Sequence, residues 1–330
     1  MTHSLHRRAG RRALAAAGLA VLALSAAHAA GYPEHPVTVV VPYPPGGGAD
    51  IFGRAIANAL QPALKQTVLV ENKPGAGGNI GMAYVARAKA DGYTLGLGTI
   101  GTQTINQFLY SNMTFDPERD LVPIALVSTT PNVIAVSAKS PYKTVADVIQ
   151  AARQSRDKKL TYASPGVGSS VHLTGAYFEA MAGVTMLHVP FKGATQALPA
   201  LISGDVDLFF DMVATGMPQA EAGKVKVFAI TSPTRLATEP KLATLAEQGY
   251  PAFDMTAWFS FVAPKGTPAP VLDKLQAALA ETLKDEAVQK RMLDMGIEPR
   301  SGSAAELDKQ VKSEQPIVSQ LIKQANIVLQ

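Results

Sequence analysis

The chain has no cysteine among its 330 residues. That excludes disulfides, thiolate metal sites, a cysteine nucleophile and lipid attachment at an N-terminal Cys. Aromatic residues are scarce at 6%, with a single tryptophan, Trp258. Enzyme signatures are also missing. No His-Glu-x-x-His is present, no Gly-x-Ser-x-Gly surrounds Ser169 or Ser170, and the glycine loop at 46–48 lacks the Gly-Lys-Ser/Thr ending of a phosphate-binding loop. The run Gly75–Gly81 reads G-x-G-x-x-x-G, one residue off the dinucleotide fingerprint. Neither His172 nor His188 has histidines or acids at metal-ligand spacing. No catalytic group, metal or cofactor is therefore expected. A secreted hydrolase, the enzymatic alternative, would need a nucleophile–base pair or metal cluster that is not visible.

Long apolar runs are confined to one place. Arg7, Arg8, Arg11 and Arg12 precede an uncharged stretch, Ala13–Ala27, followed by Ala27-His28-Ala29. A positive segment, a short apolar segment and a small-x-small site predict a secretory signal peptide over residues 1–29, cleaved after Ala29. The stretch is short for a membrane span of about 20 residues. The paired arginines admit twin-arginine export, but the residues after Arg12 fit that pattern poorly and the general secretory route is favoured. A soluble periplasmic protein is expected.

An excess of one charge sign is absent too. The chain holds 30 Lys+Arg and 26 Asp+Glu, but four of the bases lie in residues 1–29, which hold no acid. The remainder is balanced at 26 against 26, which leaves no electrostatic case for nucleic acid or an anionic membrane. An anionic solute would have to be recognised locally.

Short apolar runs alternate with helical spacing. Val37–Val41, Thr67–Val70, Tyr93–Gly98, Ile124–Ser128, Val133–Val136, Leu160–Ala163, Leu187–Pro190, Asp207–Asp211, Val225–Thr231 and Phe259–Ala263 read as strands. Helices are expected over 51–64, 79–90, 145–154, 170–182, 196–203, 268–283, 286–295 and 303–324. The pattern predicts an α/β fold built on a parallel sheet with crossover helices.

Three connections share one design of strand, glycine-rich turn and helix: Pro42–Asp50, Glu71–Asn79 and Ser164–Ser170. Glycine lets the backbone approach a ligand closely. The helix start that follows offers unpaired N–H groups and the positive end of the dipole, a setting suited to an anion. Such turns lie at the carboxyl ends of strands, where α/β sheets collect ligands. The competing reading makes each a tight strand–helix connection, with Asp50 favouring the first helical turn. His172, at a helix start, reads as structural or ligand-adjacent before it reads as a base. Asp205 belongs to a turn. Asp211, at a strand end, is kept as a site candidate. Trp258, Phe259 and Phe261 read as core at a domain seam, against a stacking platform for ligand.

Taken together and in order, several motifs resemble the tripartite tricarboxylate transporter receptors, the Bug (TctC-like) proteins of Bordetella-type bacteria. They are Pro42–Asp50, Glu71–Gly81, Asp91–Leu95, Tyr162–Leu173, Val189–Gly193 and Ala263–Pro268. The resemblance implies a type II periplasmic-binding-protein fold, two lobes with a ligand cleft between them: 30–129 plus 253–330 in lobe one and 130–252 in lobe two. It implies a monomeric receptor that captures a small carboxylate, or a related small molecule, for a membrane permease. The ligand would be held by main-chain groups and water at Gly47, Gly48, Ala49, Asp50, Ala76, Gly77, Gly78 and Asn79. Ser169, Ser170, His172 and Asp211 would face it from the other lobe. A sensory receptor docking on a membrane signalling protein would share the same site, and the two roles stay open at this point.

Overall fold

The computed structural model describes residues 31–155, 158–324 and 327. The predicted signal peptide lies outside them. In chain order the strands are β1 Val37–Val41, β2 Val68–Asn72, β3 Thr94–Thr99, β4 Leu121–Ser137, β5 Thr161–Ser164, β6 Leu187–Pro190, β7 Leu208–Met212, β8 Val225–Ile230, β9 Thr256–Pro264 and β10 Glu298–Ser303. The helices are α1 Gly48–Leu64, α2 Asn79–Arg87, α3 Asn106–Leu109, α4 Pro117–Asp120, α5 Val145–Gln154, α6 Ser170–Ala182, α7 Ala194–Ser203, α8 Val213–Glu221, α9 Ala269–Thr282, α10 Glu286–Asp294 and α11 Ala304–Gln324. No helix among the described residues is long and apolar enough to cross a membrane.

One sheet runs β2-β1-β3-β9-β4-β7-β5-β6, with β10 and β8 also paired to β4. Parallel pairing holds within β2-β1-β3 and within β7-β5-β6. The sheet is nevertheless mixed, because β9 and β4 enter antiparallel to their neighbours. Valine-rich β1 is paired on both sides and almost wholly buried, as strands covered on both faces require.

The axis of the molecule is β4, a single 17-residue strand where the sequence suggests two. Its first part pairs with β9 and β10, up to Pro131 opposite Thr256. From Asn132 onward it pairs with β7 and β8. Pro131 cannot donate to a ladder, and it sits where the strand changes partners. Pro123 is accommodated similarly, at a register shift between Pro123 and Ala125.

The sheet thus has two halves joined through β4 and through the return from β8 to β9. Thr231 laces these two crossings together. Its hydroxyl accepts from Asn132 N–H at 2.8 Å and donates to the Met255 carbonyl at 2.9 Å. Its own N–H reaches the Asn132 carbonyl at 3.0 Å, and Met255 N–H reaches the Thr231 carbonyl at 3.0 Å.

Each half has its own apolar core. In the first, α1 and α9 pack on one face, where Phe52 stacks on Phe259 at 4.7 Å. α2 and α11 cover the other face around Met82, Trp258 and Leu321. The second half encloses Tyr162, Phe178, Phe209 and Phe210. Several helix starts are written into the sequence: Thr144 and Asp147 form a reciprocal capping box on α5, and Asp285 caps α10.

Candidate functional site

The first glycine loop is shaped by an acid that faces away from ligand space. Asp50 is 3% exposed. Its carboxylate accepts from Gly46 N–H (2.9 Å), Asn72 Nδ2 (2.8 Å) and Arg54 Nε (3.0 Å). Burial alone would raise its pKa, but Arg54, the Gly46 amide and Asn72 together hold it below the usual carboxylate range. Pinned in this way, the loop delivers Gly47 as the N-cap of α1, with no side chain to cap the helix. The N–H groups of Asp50 and Ile51 return to the Gly47 carbonyl, at 2.9 and 3.0 Å. Those of Gly48 and Ala49 belong to the helix start that has no intrahelical acceptor.

The second loop buttresses the first. Ala76–Gly78 forms a single 3₁₀ turn that needs positive φ at Ala76 (48°), Gly77 (63°) and Gly78 (97°). Asn106 clamps it, its Nδ2 donating to the Gly77 carbonyl (3.0 Å) and to Asn79 Oδ1 (2.7 Å). Tyr43 Oη also reaches the Gly77 carbonyl, at 3.4 Å.

The third loop turns through Gly166 and Gly168 into α6. Ser169 is spent on that turn. Its hydroxyl donates to the Gly166 carbonyl (2.7 Å) and, as N-cap, accepts from His172 N–H (3.2 Å). His172 lies beneath the loop, 5% exposed, with Nδ1 accepting from Gly168 N–H at 3.4 Å. Its ring stacks on His188 at 3.9 Å, and His188 Nε2 meets Ser164 Oγ at 2.7 Å. Burial pushes His172 down to about 4. Burial, then the neighbouring His172, push His188 down to about 3. Both rings are neutral at pH 7, and they prop the loop.

A cavity of about 50 Å³ lies where the loops of the two halves meet. The first half supplies Tyr43, Pro44, Gly47, Gly48, Ala49 and Ile100, with Thr99, Ala257, Trp258 and Phe259 from the sheet. The second half supplies Pro165, Ser169, Ser170, Val171, Gly193, Ala194, Asp211 and Met212. Four helix starts therefore converge on one small space: α1, α6, α7 and α8, the last beginning directly after Met212. No lysine or arginine lines it, and no group of three or more metal-ligating side chains occurs among the described residues. The chemistry on offer is oriented backbone N–H, hydroxyl and apolar surface.

Asp211 carries the only acidic side chain in the lining. It is 1% exposed. Burial pushes its carboxyl up to about 7, against the pull of Thr215 and the Met212 amide. Trp258 is buried in the core of the first half and also borders the cavity. Its indole N–H points elsewhere, to Glu314 of α11 at 2.9 and 3.0 Å.

Of the twelve candidate residues, Gly47, Gly48, Ala49, Ser169, Ser170 and Asp211 line the cavity. Asp50, Ala76, Gly77, Gly78, Asn79 and His172 stand behind it, holding the loops in shape. Sequence reading missed the α7 start at Gly193–Ala194. It has the same strand–glycine–helix design, but with a single glycine it does not stand out. Met212 was missed because nothing marks the helix that follows, which contains Gly216 and Pro218.

The halves touch around this cavity. Tyr110 Oη donates to the Val167 carbonyl across the cleft at 2.9 Å. A side-chain carbon at Gly77 would come 2.6 Å from the same carbonyl oxygen, and one at Gly48 would come 2.5 Å from Met212 Sδ. The glycines are thus what permits this approach.

Residues 52–327 match the family described as tripartite tricarboxylate transporter family receptor. The chain belongs to this family. A UPF0065 protein from the tcbD–tcbE intergenic region of Pseudomonas sp. (strain P51) is 35% identical over 307 residues, covering 92% of this chain and 91% of the relative. Among solved structures, the periplasmic binding protein BugD is 37% identical, with a TM-score of 0.85 over 91% of this chain and 100% of its own. R. palustris Rpa4515 with adipate is 34% identical, with a TM-score of 0.87 over 90% and 99%. The receptor carries the type II periplasmic-binding-protein fold of these solute-binding proteins.

Proposed function

We propose that this receptor captures a small carboxylate in the cavity between its two halves and presents it, closed, to the membrane permease of a tripartite tricarboxylate transporter. The observation that carries the reading is the convergence of four helix starts, from both halves, on a space with no cation in its wall. Backbone N–H groups and dipoles then supply the positive potential for an anion. Each charge-assisted hydrogen bond to the carboxylate contributes about 1.5–3 kcal/mol. Rpa4515, whose structure contains adipate, makes a carboxylate the first class to test. The reading assigns the receptor no catalytic step: the buried His172 and His188 are neutral props of the third loop.

Lobe one would comprise residues 30–129 and 253–330, and lobe two 130–252. The hinge would fall near Pro131 and the Thr231–Met255 crossing. Residues 1–29 would direct export to the periplasm and be removed, and the mature protein would act as a monomer. A thermal-shift screen of the mature protein against a carboxylate library tests the reading. A ligand at about 100 times its Kd adds about 2.7 kcal/mol of stability. No stabilisation by any mono- or dicarboxylate at millimolar concentration would refute it.

A further inference from the structure

The cavity wall is not chemically symmetric. Around most of it, helix starts offer donors. One of its lining residues, Asp211, carries a buried acceptor with nothing to accept. Asp211 Oδ1 is fully engaged, by Met212 N–H at 2.8 Å and Thr215 Oγ1 at 2.7 Å. Oδ2 is buried and has no hydrogen-bond partner among the described residues. The elements packed on it bring no charge. β4 offers Val133 directly opposite, flanked by Asn132, whose Nδ2 is turned to Thr174. α8 offers Thr215, already bound to Oδ1, and Gly216, close to Oδ2. Tyr43, the other ionisable group in the lining, is pushed up to about 12, chiefly by burial, and its hydroxyl reaches Gly77 and Thr99. A buried carboxylate oxygen without a partner is costly, and the residue that carries it, Asp211, lines the space proposed for the solute.

We propose that Asp211 Oδ2 sets the ligand class: the captured solute is a short carboxylate that also carries a hydrogen-bond donor, a hydroxyl or amino group, which this oxygen accepts. The inference rests on the cavity being the solute site. A solute with only an alkyl tail would leave Oδ2 unpaired in the closed receptor. A second ionised carboxylate would set two acceptors of like charge against each other.

Asp211→Asn gives a specific reversal. The amide oxygen keeps the Met212 and Thr215 bonds, and the amide nitrogen, a donor, takes the place of Oδ2. Titration calorimetry at pH 8, where Asp211 is ionised, would compare butyrate, its 2-, 3- and 4-hydroxy and 2-, 3- and 4-amino derivatives, and succinate. For the wild type, at least one hydroxy or amino derivative is expected to bind tenfold or more tightly than butyrate, and succinate more weakly than that derivative. In Asp211→Asn the tenfold advantage should vanish and succinate should gain. Butyrate binding as tightly as every derivative, or an unchanged preference in the folded Asn variant, would overturn the assignment of Asp211 while leaving a carboxylate receptor in place. Failure of the whole panel, butyrate and succinate included, would count against the carboxylate reading itself and take this one with it.

Discussion

Asp211 also makes a prediction that needs no ligand. Burial raises its carboxyl from 3.8 in the unfolded chain to about 7 in the folded one. Between those values the native state holds a proton that the unfolded state has released. Stability from this group is therefore fully present below about pH 4 and is lost as pH rises through about 7. At 1.36 kcal/mol per pKa unit, the loss amounts to about 4 kcal/mol, a large share of the 5–15 kcal/mol that holds a typical protein folded. Asp211→Asn is neutral throughout and keeps the Oδ1 contacts, so it should show no such loss. Other buried acids, such as Glu179 and Glu314, are raised too, but they are common to both proteins and cancel in the difference. Urea unfolding at pH 4, 5, 6, 7 and 8 gives the test. The variant should gain on the wild type by about 4 kcal/mol across that range, with equal denaturant slopes. A difference that stays flat to within about 1 kcal/mol would mean that Asp211 is solvated or paired, and the account of its partnerless oxygen would be wrong.

Further perturbations probe the rest of the site. Gly48→Val places a side chain against Met212 without demanding an unusual backbone angle; it should preserve the circular dichroism spectrum and lower carboxylate affinity by at least tenfold in calorimetry. Gly77→Val would press on the Val167 carbonyl and should also lower affinity by at least tenfold, but Gly77 has φ of 63°, so its unfolding midpoint should fall as well. Tyr110→Phe removes the hydrogen bond to Val167 that spans the cleft; a loss of about 0.5–1.5 kcal/mol from the closed form should weaken binding up to about tenfold, mainly through faster dissociation in stopped-flow traces. Mass spectrometry of the periplasmic fraction should find a mature N-terminus at Ala30, and the intact Met1 form in the cytoplasm would contradict export.

Much of the fold was legible because its signals are local. Valine runs, helical spacing and caps such as Thr144 mark elements that hold their place in the structure. What escaped depends on partners far away in sequence. β4 reads as two strands because Pro131 interrupts it, and only the switch from β9 to β7 and β8 shows why a proline is tolerated there. β10, Glu-Pro-Arg-Ser-Gly-Ser, has no apolar alternation and exists because β4 offers it an edge. For the candidate site, the glycine loops bring Gly47–Ala49 and Ser169–Ser170 to the cavity wall. Ala76–Asn79 is not among the lining residues, and its glycines serve a tight 3₁₀ turn. Asp50 and His172 show that a polar residue beside a glycine loop can be the loop's support, a role visible only in its hydrogen bonds.

The most direct measurement is a crystal structure of the mature protein grown with the tightest carboxylate from the screen. The account expects the carboxylate enclosed between the halves, its oxygens within hydrogen-bond distance of backbone N–H groups at the helix starts of Gly48–Ala49 and the facing loops, with no arginine or lysine in contact. A carboxylate bound outside this cavity, or held by a basic side chain, would contradict it.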